Sequence, residues 1–297
     1  MPEIRISISL PYALRLTEGE YRTAQAGEMI QIIAPPLDET IPRTIVAATF
    51  QHAEIPDALE KQEVRAQDAD RLLRRTNRML RWYRSVRQRA DITELTRAQA
   101  SPFRFEMVGS GDPAGWIEPI EYEEAEPTPL ALTIEQLTDR VRNGLATGRD
   151  PDVDVLFLLD AERALHQGRF REAVLFCWST IDSVFNRKYD SLVDVALAGE
   201  WGEAKTFFKG LDLGLKTKMS AGMRFVANRS LFEEPDTLWV RMSNSYSKRN
   251  HIIHRGENAT EDEARQAIAV ARAIVGIMNG IPLPPGGQGP AAVGGGS

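Results

Sequence analysis

The spacing of apolar residues changes along this chain, and that change restricts what the chain can fold into. Near the start, Ile4, Ile6 and Ile8 alternate with polar residues, a period of two that predicts a half-buried strand. Beyond Pro129 helix signals dominate instead, and apolar residues recur there at the three- and four-residue spacing of helices. The sequence therefore predicts an α+β protein in which an all-α helical bundle follows a smaller β-rich domain.

Further strand signals occur in the first half of the chain, separated by turn residues. They are the short apolar runs that begin at Glu28, Thr44, Phe103 and Trp116. Together with the first run, they predict an antiparallel sheet. One long helix interrupts them, from Gln62 to about Arg89, because apolar residues recur there at helical spacing.

The other face of this long helix is basic, since the stretch holds nine arginines. They are Arg65, Arg71, Arg74, Arg75, Arg78, Arg81, Arg84, Arg87 and Arg89. One interpretation is a surface that binds phosphate or an acidic partner, and the other is a solvated helix face that pairs with acids elsewhere in the protein. The second is favoured, because the stretch from Gly111 to Glu126 has six acids and no Lys or Arg, and opposite charges attract.

A charged, proline-broken segment, EEAEPTP, marks the predicted domain boundary. We assign residues 1–126 to the β-rich domain, 127–281 to the helical bundle and 282–297 to a disordered tail rich in Pro and Gly. Capping boxes, in which a Thr is followed three residues later by Gln or Glu, predict that helices begin after Thr133 and Thr260.

The composition restricts the class of protein. With 36 Lys and Arg against 42 Asp and Glu, the net charge of −6 argues against coating nucleic acid by bulk charge, so any nucleic-acid contact is expected to be local. The single cysteine, Cys177, lies in an apolar run, which predicts a buried thiol and excludes a disulfide framework. No charged and apolar leader opens the sequence, and no apolar stretch approaches about 18 residues. A cytoplasmic protein without a membrane partner is expected.

The octet RNHIIHRG, Arg249 to Gly256, contains the residue types that can carry chemistry. Arg249 and His254 are five positions apart, and on an ideal helix such side chains point about 140° away from each other. Asn250 and His254 are four apart and share a face. We therefore expect the helix, which begins near Asp236, to end or bend around His254, with Gly256 supplying the C-terminal turn.

These side chains suit the cleavage of a phosphodiester. His254 can take a proton from a ribose 2′-hydroxyl or give one to the leaving 5′-oxygen at neutral pH. Arg249 keeps its charge and offers a planar fork of donors that can hold the scissile phosphate. Asn250 is expected to orient His254. This chemistry requires no metal or cofactor, and the sequence has no H-E-x-x-H, paired-aspartate or cysteine-pair pattern.

The octet and the alanine-rich helix after it resemble the Arg-x4-6-His signature of the HEPN family, which lies near the end of a helical bundle. The upstream hairpin from Ala161 to Phe185, with an acid at Asp182, is similar to the early helices of that family. The resemblance covers the C-terminal half of the chain. It implies a metal-independent endoribonuclease that leaves 2′,3′-cyclic phosphate ends and acts on RNA as a homodimer in which two motifs meet.

The resemblance also implies roles for individual residues. Arg249, His254 and Asn250 would be catalytic, and His251, Arg255 and Lys248 are candidate RNA-binding residues. Some HEPN proteins carry, two positions after the motif histidine, a tyrosine that a partner nucleotidyltransferase modifies. Gly256 stands at that position here, so this regulation is not expected. A role in stress response or phage defence is a further expectation from the family.

Two other functions fit the sequence. In one, the helical domain is a non-catalytic module that dimerises or binds a nucleotide, while the N-terminal domain recognises a protein partner or a signal. Cationic residues near a helix C-terminus stabilise the helix through its dipole, so a purely structural Arg249 and His254 would give the same pattern. In the other, the arginine-rich helix makes the protein a nucleic-acid-binding regulator. The presence of Arg249, Asn250 and His254 together favours the nuclease.

Overall fold

The computed structural model of the chain describes residues 3–23, 28–33, 44–52, 60–100, 103–108, 132–198, 202–210, 213–234 and 237–282. The chain divides into two compact units, Met1–Asp152 and Val153–Ser297. The first contains an antiparallel sheet and the second is helical, which confirms the predicted α+β class. The predicted strand from Trp116, the acidic stretch Gly111 to Glu126 and all of the tail after Pro282 lie outside the described residues.

The sheet of the first unit is antiparallel throughout, in the order β2-β3-β4-β1-β5. Its strands are β1 (Glu3–Ser9), β2 (Gly19–Arg22), β3 (Met29–Ile33), β4 (Ile45–Gln51) and β5 (Arg104–Met107). Ile6 pairs with Ala48 of β4 and with Phe105 of β5. Ile6 and Ile8 are both buried, so the period of two identified the core-facing side of β1 correctly. Strand β2 was not predicted.

The long helix α1 (Glu60–Arg87) packs its apolar face on the core of this sheet. Its arginines meet acids of the same unit. Arg75 Nη2 lies 2.6 Å from Glu28 Oε1, and Arg81 Nη2 lies 2.9 Å from Asp150 Oδ1. These ion pairs are contacts of the kind expected for a helix face that pairs with acids elsewhere in the protein, whereas the acidic stretch named as its partner lies outside the described residues.

Helix α2 (Ile134–Ala146) belongs to the first unit. It begins at the predicted capping box, where Thr133 accepts from a backbone N–H of the first turn. Its Gly144 lies so close to the Trp82 ring of α1 that a Cβ would come within 2.3 Å of it. The unit boundary therefore follows α2, whereas the sequence assigned 127–281 to the bundle. The apolar face of α2 completes the core that the sheet and α1 form. Capping and periodicity in the sequence do not reveal which core an amphipathic helix will join.

The second unit is built from helices. They are α3 (Val153–His166), α4 (Phe170–Ala196), α5 (Gly202–Lys209), α6 (Leu215–Thr217), α7 (Met223–Ala227), α8 (Leu238–Arg255) and α9 (Glu261–Gly280), with a π-helical turn at Lys218–Gly222 and a 3-10 turn at Leu231–Glu233. Helices α3 and α4 form the predicted hairpin, and α9 packs on both.

The core of the second unit gathers around the large side chains of α4, including Trp178 and Phe185. Cys177 is buried, as predicted, and burial raises the pKa of its thiol to about 12. Across the described parts of the chain, no helix combines the length and the apolar character needed to cross a bilayer.

Candidate functional site

The octet forms the C-terminal end of α8. Gly256 follows the helix with a left-handed φ of 67°, a conformation that favours glycine, and its N–H donates to the Ile252 carbonyl at 3.1 Å. Gly256 thus supplies the C-terminal turn, as predicted. The helix continues as one element through Arg255, so its end is confirmed and a bend at His254 is not observed.

The continuous helix separates the two principal candidate residues. Arg249 and His254 project from it in directions about 140° apart. Arg249 is partly buried, and His254 is exposed. Within the described residues, no hydrogen bond or ion pair joins their side chains. Within one chain, Arg249 and His254 therefore do not meet. We call the surroundings of each of these two residues a half-site.

The Arg249 half-site includes an amide and an acid. Arg249 Nη1 donates to Asn250 Oδ1 at 3.0 Å, so Asn250 positions Arg249, and its expected role in orienting His254 stays a prediction. The charge of Arg249 also acts on the partly buried carboxyl of Asp182 in α4. Burial raises the pKa of Asp182 and Arg249 lowers it, and burial has the larger effect. Perturbed acids of this kind are common at functional sites, although structural ion pairs also produce them.

The three candidate RNA-binding residues each face an acid. Lys248 Nζ lies 3.0 Å from Glu263 Oε1. His251 Nδ1 lies 3.5 Å from Glu257 Oε2, and Arg255 Nη1 lies 3.9 Å from the other carboxylate oxygen of Glu257. These acids partly neutralise Lys248 and Arg255 and occupy the His251 imidazole, which makes all three residues weaker phosphate ligands than the sequence indicated.

Glu263 also links the end of α8 to the start of α9. Its Oε2 accepts from the Thr260 backbone N–H at 2.8 Å, which completes the predicted capping box. Burial raises the pKa of Glu263, but the hydrogen bonds from Thr260 and Lys248 and the charge of Lys248 lower it by more, so this pKa lies below its ordinary value. The cap and the Lys248 ion pair therefore share one ionised carboxylate.

The middle of α8 is fixed to α4 by a buried hydrogen bond. Trp178 Nε1 donates to Ser245 Oγ at 3.0 Å, and Ser245 lies four residues before Arg249 on the same side of the helix. Tyr246 packs edge-on against Trp178 at 5.1 Å between ring centroids, and Lys216 Nζ lies 5.4 Å from the centroid of the Tyr246 ring. The sequence did not reveal this placement of Lys216, because the contact joins α6 to α8 and therefore depends on the fold.

Comparisons of the chain with protein-family models, with curated proteins and with solved structures find no match. The resemblance to the HEPN family therefore stays a prediction that rests on the residues quoted above. Among the described residues, no group of three or more His, Cys, Asp or Glu side chains is placed to hold a metal ion.

Proposed function

We propose that this protein is a metal-independent endoribonuclease with Arg249 and His254 as its principal catalytic residues. The arrangement at the end of α8 supports this function. It places a charged Arg249, held by Asn250, near the partly buried carboxyl of Asp182, and an exposed His254 at the last turn of the same helix. An arginine stabilises the charge that develops on a phosphate, and an exposed imidazole can transfer protons.

The reaction consists of one displacement at phosphorus. The ribose 2′-oxygen forms a bond to phosphorus while the bond to the 5′-oxygen breaks. A base takes the proton of the 2′-hydroxyl, and an acid gives a proton to the departing 5′-oxygen. The products carry a 2′,3′-cyclic phosphate and a 5′-hydroxyl. His254 transfers protons in this scheme, and Arg249 holds the phosphate.

A second copy of the chain completes the site. Because one helix projects Arg249 and His254 about 140° apart, a two-fold axis beside α8 joins the Arg249 half-site of one copy to the His254 half-site of the other. The apolar Ile253, which precedes His254 in α8 and is 47% exposed, suits such a contact. The second unit is then a HEPN-like bundle that functions as a homodimer. A cytoplasmic role in stress response or phage defence belongs to the same proposal, as does a protein partner for the N-terminal unit.

The test is cleavage of single-stranded RNA by the full chain in EDTA. Arg249→Ala and His254→Ala should each lower the rate by at least about 100-fold, the loss typical of a missing charge stabiliser or proton-transfer group. Matched controls are Arg265→Ala and His166→Ala, because both residues are exposed on other helices of the same unit. Full activity in the Arg249 and His254 variants would reject the assignment, and products without cyclic phosphate ends would reject the mechanism.

A non-catalytic role is the second candidate, and the ion pairs of Lys248, His251 and Arg255 favour it. All three side chains contact acids, and Arg255 lies in the last turn of α8, where positive charge stabilises the helix. The helical unit would then dimerise or bind a nucleotide. In that case, purified protein leaves RNA intact, and Arg249→Ala shifts the monomer–dimer equilibrium or the nucleotide affinity, which sedimentation and calorimetry measure.

A further inference from the structure

Three phenylalanines form an exposed aromatic surface on the second unit, which we call the phenylalanine platform. The Phe208 and Phe225 rings stack with centroids 4.8 Å apart and an interplanar angle of 6°. Phe207 packs edge-on against Phe208 at 5.6 Å. Phe207 and Phe225 are 57% and 59% exposed. Because clustered, solvent-exposed apolar side chains mark interaction sites, this surface is a candidate for binding.

The charge around the platform favours an anionic ligand. Between Ala204 and Arg229 the sequence has six Lys or Arg residues and one acid, Asp212, although the whole chain has a net charge of −6. Four of these cations pair with acids beyond the stretch, as in the 2.7 Å pair of Lys209 with Asp194, and Lys218 is buried, which leaves Lys216 as the described cation without an ion pair. Exposed ion pairs contribute little free energy, so a polyanion can compete for these cations.

Lys216 connects the platform with the proposed catalytic arginine. Its ammonium lies over the ring of Tyr246, and Tyr246 lies one helical turn before Arg249 in α8. No acid of the described part of the chain forms an ion pair with Lys216. Lys216 and Phe225 belong to one helical run, α6, the π-helical turn and α7, and nine residues of helix span roughly 13 Å. A chain of phosphates that passes Lys216 can therefore reach both the platform and Arg249.

We propose that the phenylalanine platform binds unpaired RNA bases by stacking, while Lys216 holds the phosphates between the platform and Arg249. The inference rests on the proposed ribonuclease function and adds its substrate class, single-stranded RNA long enough to reach both places. Every base has a π-face, so stacking on aromatic rings tolerates many sequences. An aliphatic partner segment would require neither the parallel rings nor the ammonium of Lys216.

Binding is measured in a full-length His254→Ala background, so that the result does not depend on whether the protein cleaves RNA. The probe is a fluorescein-labelled, 20-nucleotide polyuridine, followed by fluorescence anisotropy. Replacing Phe207 and Phe225 together by Leu keeps apolar side chains but removes the flat rings, and it should weaken binding by roughly tenfold per ring. Replacing both by Tyr keeps the rings and should leave the affinity unchanged. Thermal melts confirm that each variant is folded.

The outcomes separate this proposal from the ribonuclease assignment. Loss of affinity in the Leu variant with retention in the Tyr variant supports stacking, even if the wild-type protein proves unable to cleave RNA. Wild-type affinity in the Leu variant overturns the platform and assigns the surface to an apolar partner instead. Equal loss in the Leu and Tyr variants, or no binding of the probe by any form, also overturns it.

Discussion

Replacing Trp178 by Phe tests how the helix that carries Arg249 is held. Trp178 and Ser245 are 1% and 6% exposed, and the indole N–H donates to the Ser245 hydroxyl at 3.0 Å and to its carbonyl at 3.2 Å. Phe cannot donate, so both buried oxygens lose this donor. The expected cost is about 1–3 kcal/mol, mainly for the Ser245 hydroxyl, because the Ser245 carbonyl keeps its N–H donor within α8. The smaller ring adds about 1–2 kcal/mol, part of the cost of a full Trp→Ala truncation.

The sum, about 2–5 kcal/mol, is a large fraction of the stability of a domain. Urea unfolding followed by circular dichroism should show a lower midpoint with an unchanged slope. Ser245→Ala should cost only about 1 kcal/mol, because the backbone carbonyl still accepts. In the double variant the two losses should fall short of additivity by at least about 0.5 kcal/mol. A change below about 0.5 kcal/mol for Trp178→Phe, or strict additivity, would refute the proposed anchor.

Four further substitutions, one of them a control, test individual contacts. Gly144→Ala places a Cβ 2.3 Å from the Trp82 ring and should destabilise the first unit by about 1–3 kcal/mol, whereas Gly276→Ala, with nothing within 4 Å, should be neutral or stabilise by up to about 1 kcal/mol in thermal melts. The pKa of Asp182 is raised because burial disfavours its ionised form, so its contribution to stability is lost as pH rises. The Asp182→Asn variant should therefore melt at a higher temperature than wild type at neutral pH and at the same temperature in acid. The pKa of Glu263 is lowered, so its contribution to stability is present at neutral pH and is lost as pH falls through that pKa. Glu263→Gln should therefore be less stable than wild type at neutral pH, by less than about 1 kcal/mol, and equally stable in acid. Differences that do not change with pH would contradict both pKa assignments.

Local signals in the sequence predicted local structure well. The alternation in Ile4 to Leu10 gave strand β1 and its buried face, and the capping boxes gave the starts of α2 and α9, because these patterns depend on nearby residues. The partner of α2 was not predictable, because an amphipathic helix shows that it has an apolar face but not which core that face will join. The short strand β2 has only four residues and too little alternation to be recognised.

The candidate site was predictable in its residue types and less so in its contacts. The position of Gly256 at the helix end followed from the preference of glycine for a left-handed turn. The hydrogen bond that Arg249 donates to Asn250 did not follow, because spacing on a helix identifies which side chains are neighbours but not which rotamer each adopts. The acids that face Lys248 and His251 come from the connection to α9 and from α9 itself, so their pairing required the fold.

Subunit complementation tests the shared site most directly. Arg249→Ala and His254→Ala proteins are mixed in equal amounts, unfolded and refolded together, and assayed on single-stranded RNA in EDTA. If each site joins Arg249 of one copy to His254 of the other, half of the dimers are mixed and each mixed dimer has one intact site, so about a quarter of wild-type activity should return. A mixture no more active than the separate variants, beside an active wild-type protein, would contradict a site built from two copies, and an inactive wild-type protein would contradict the nuclease itself.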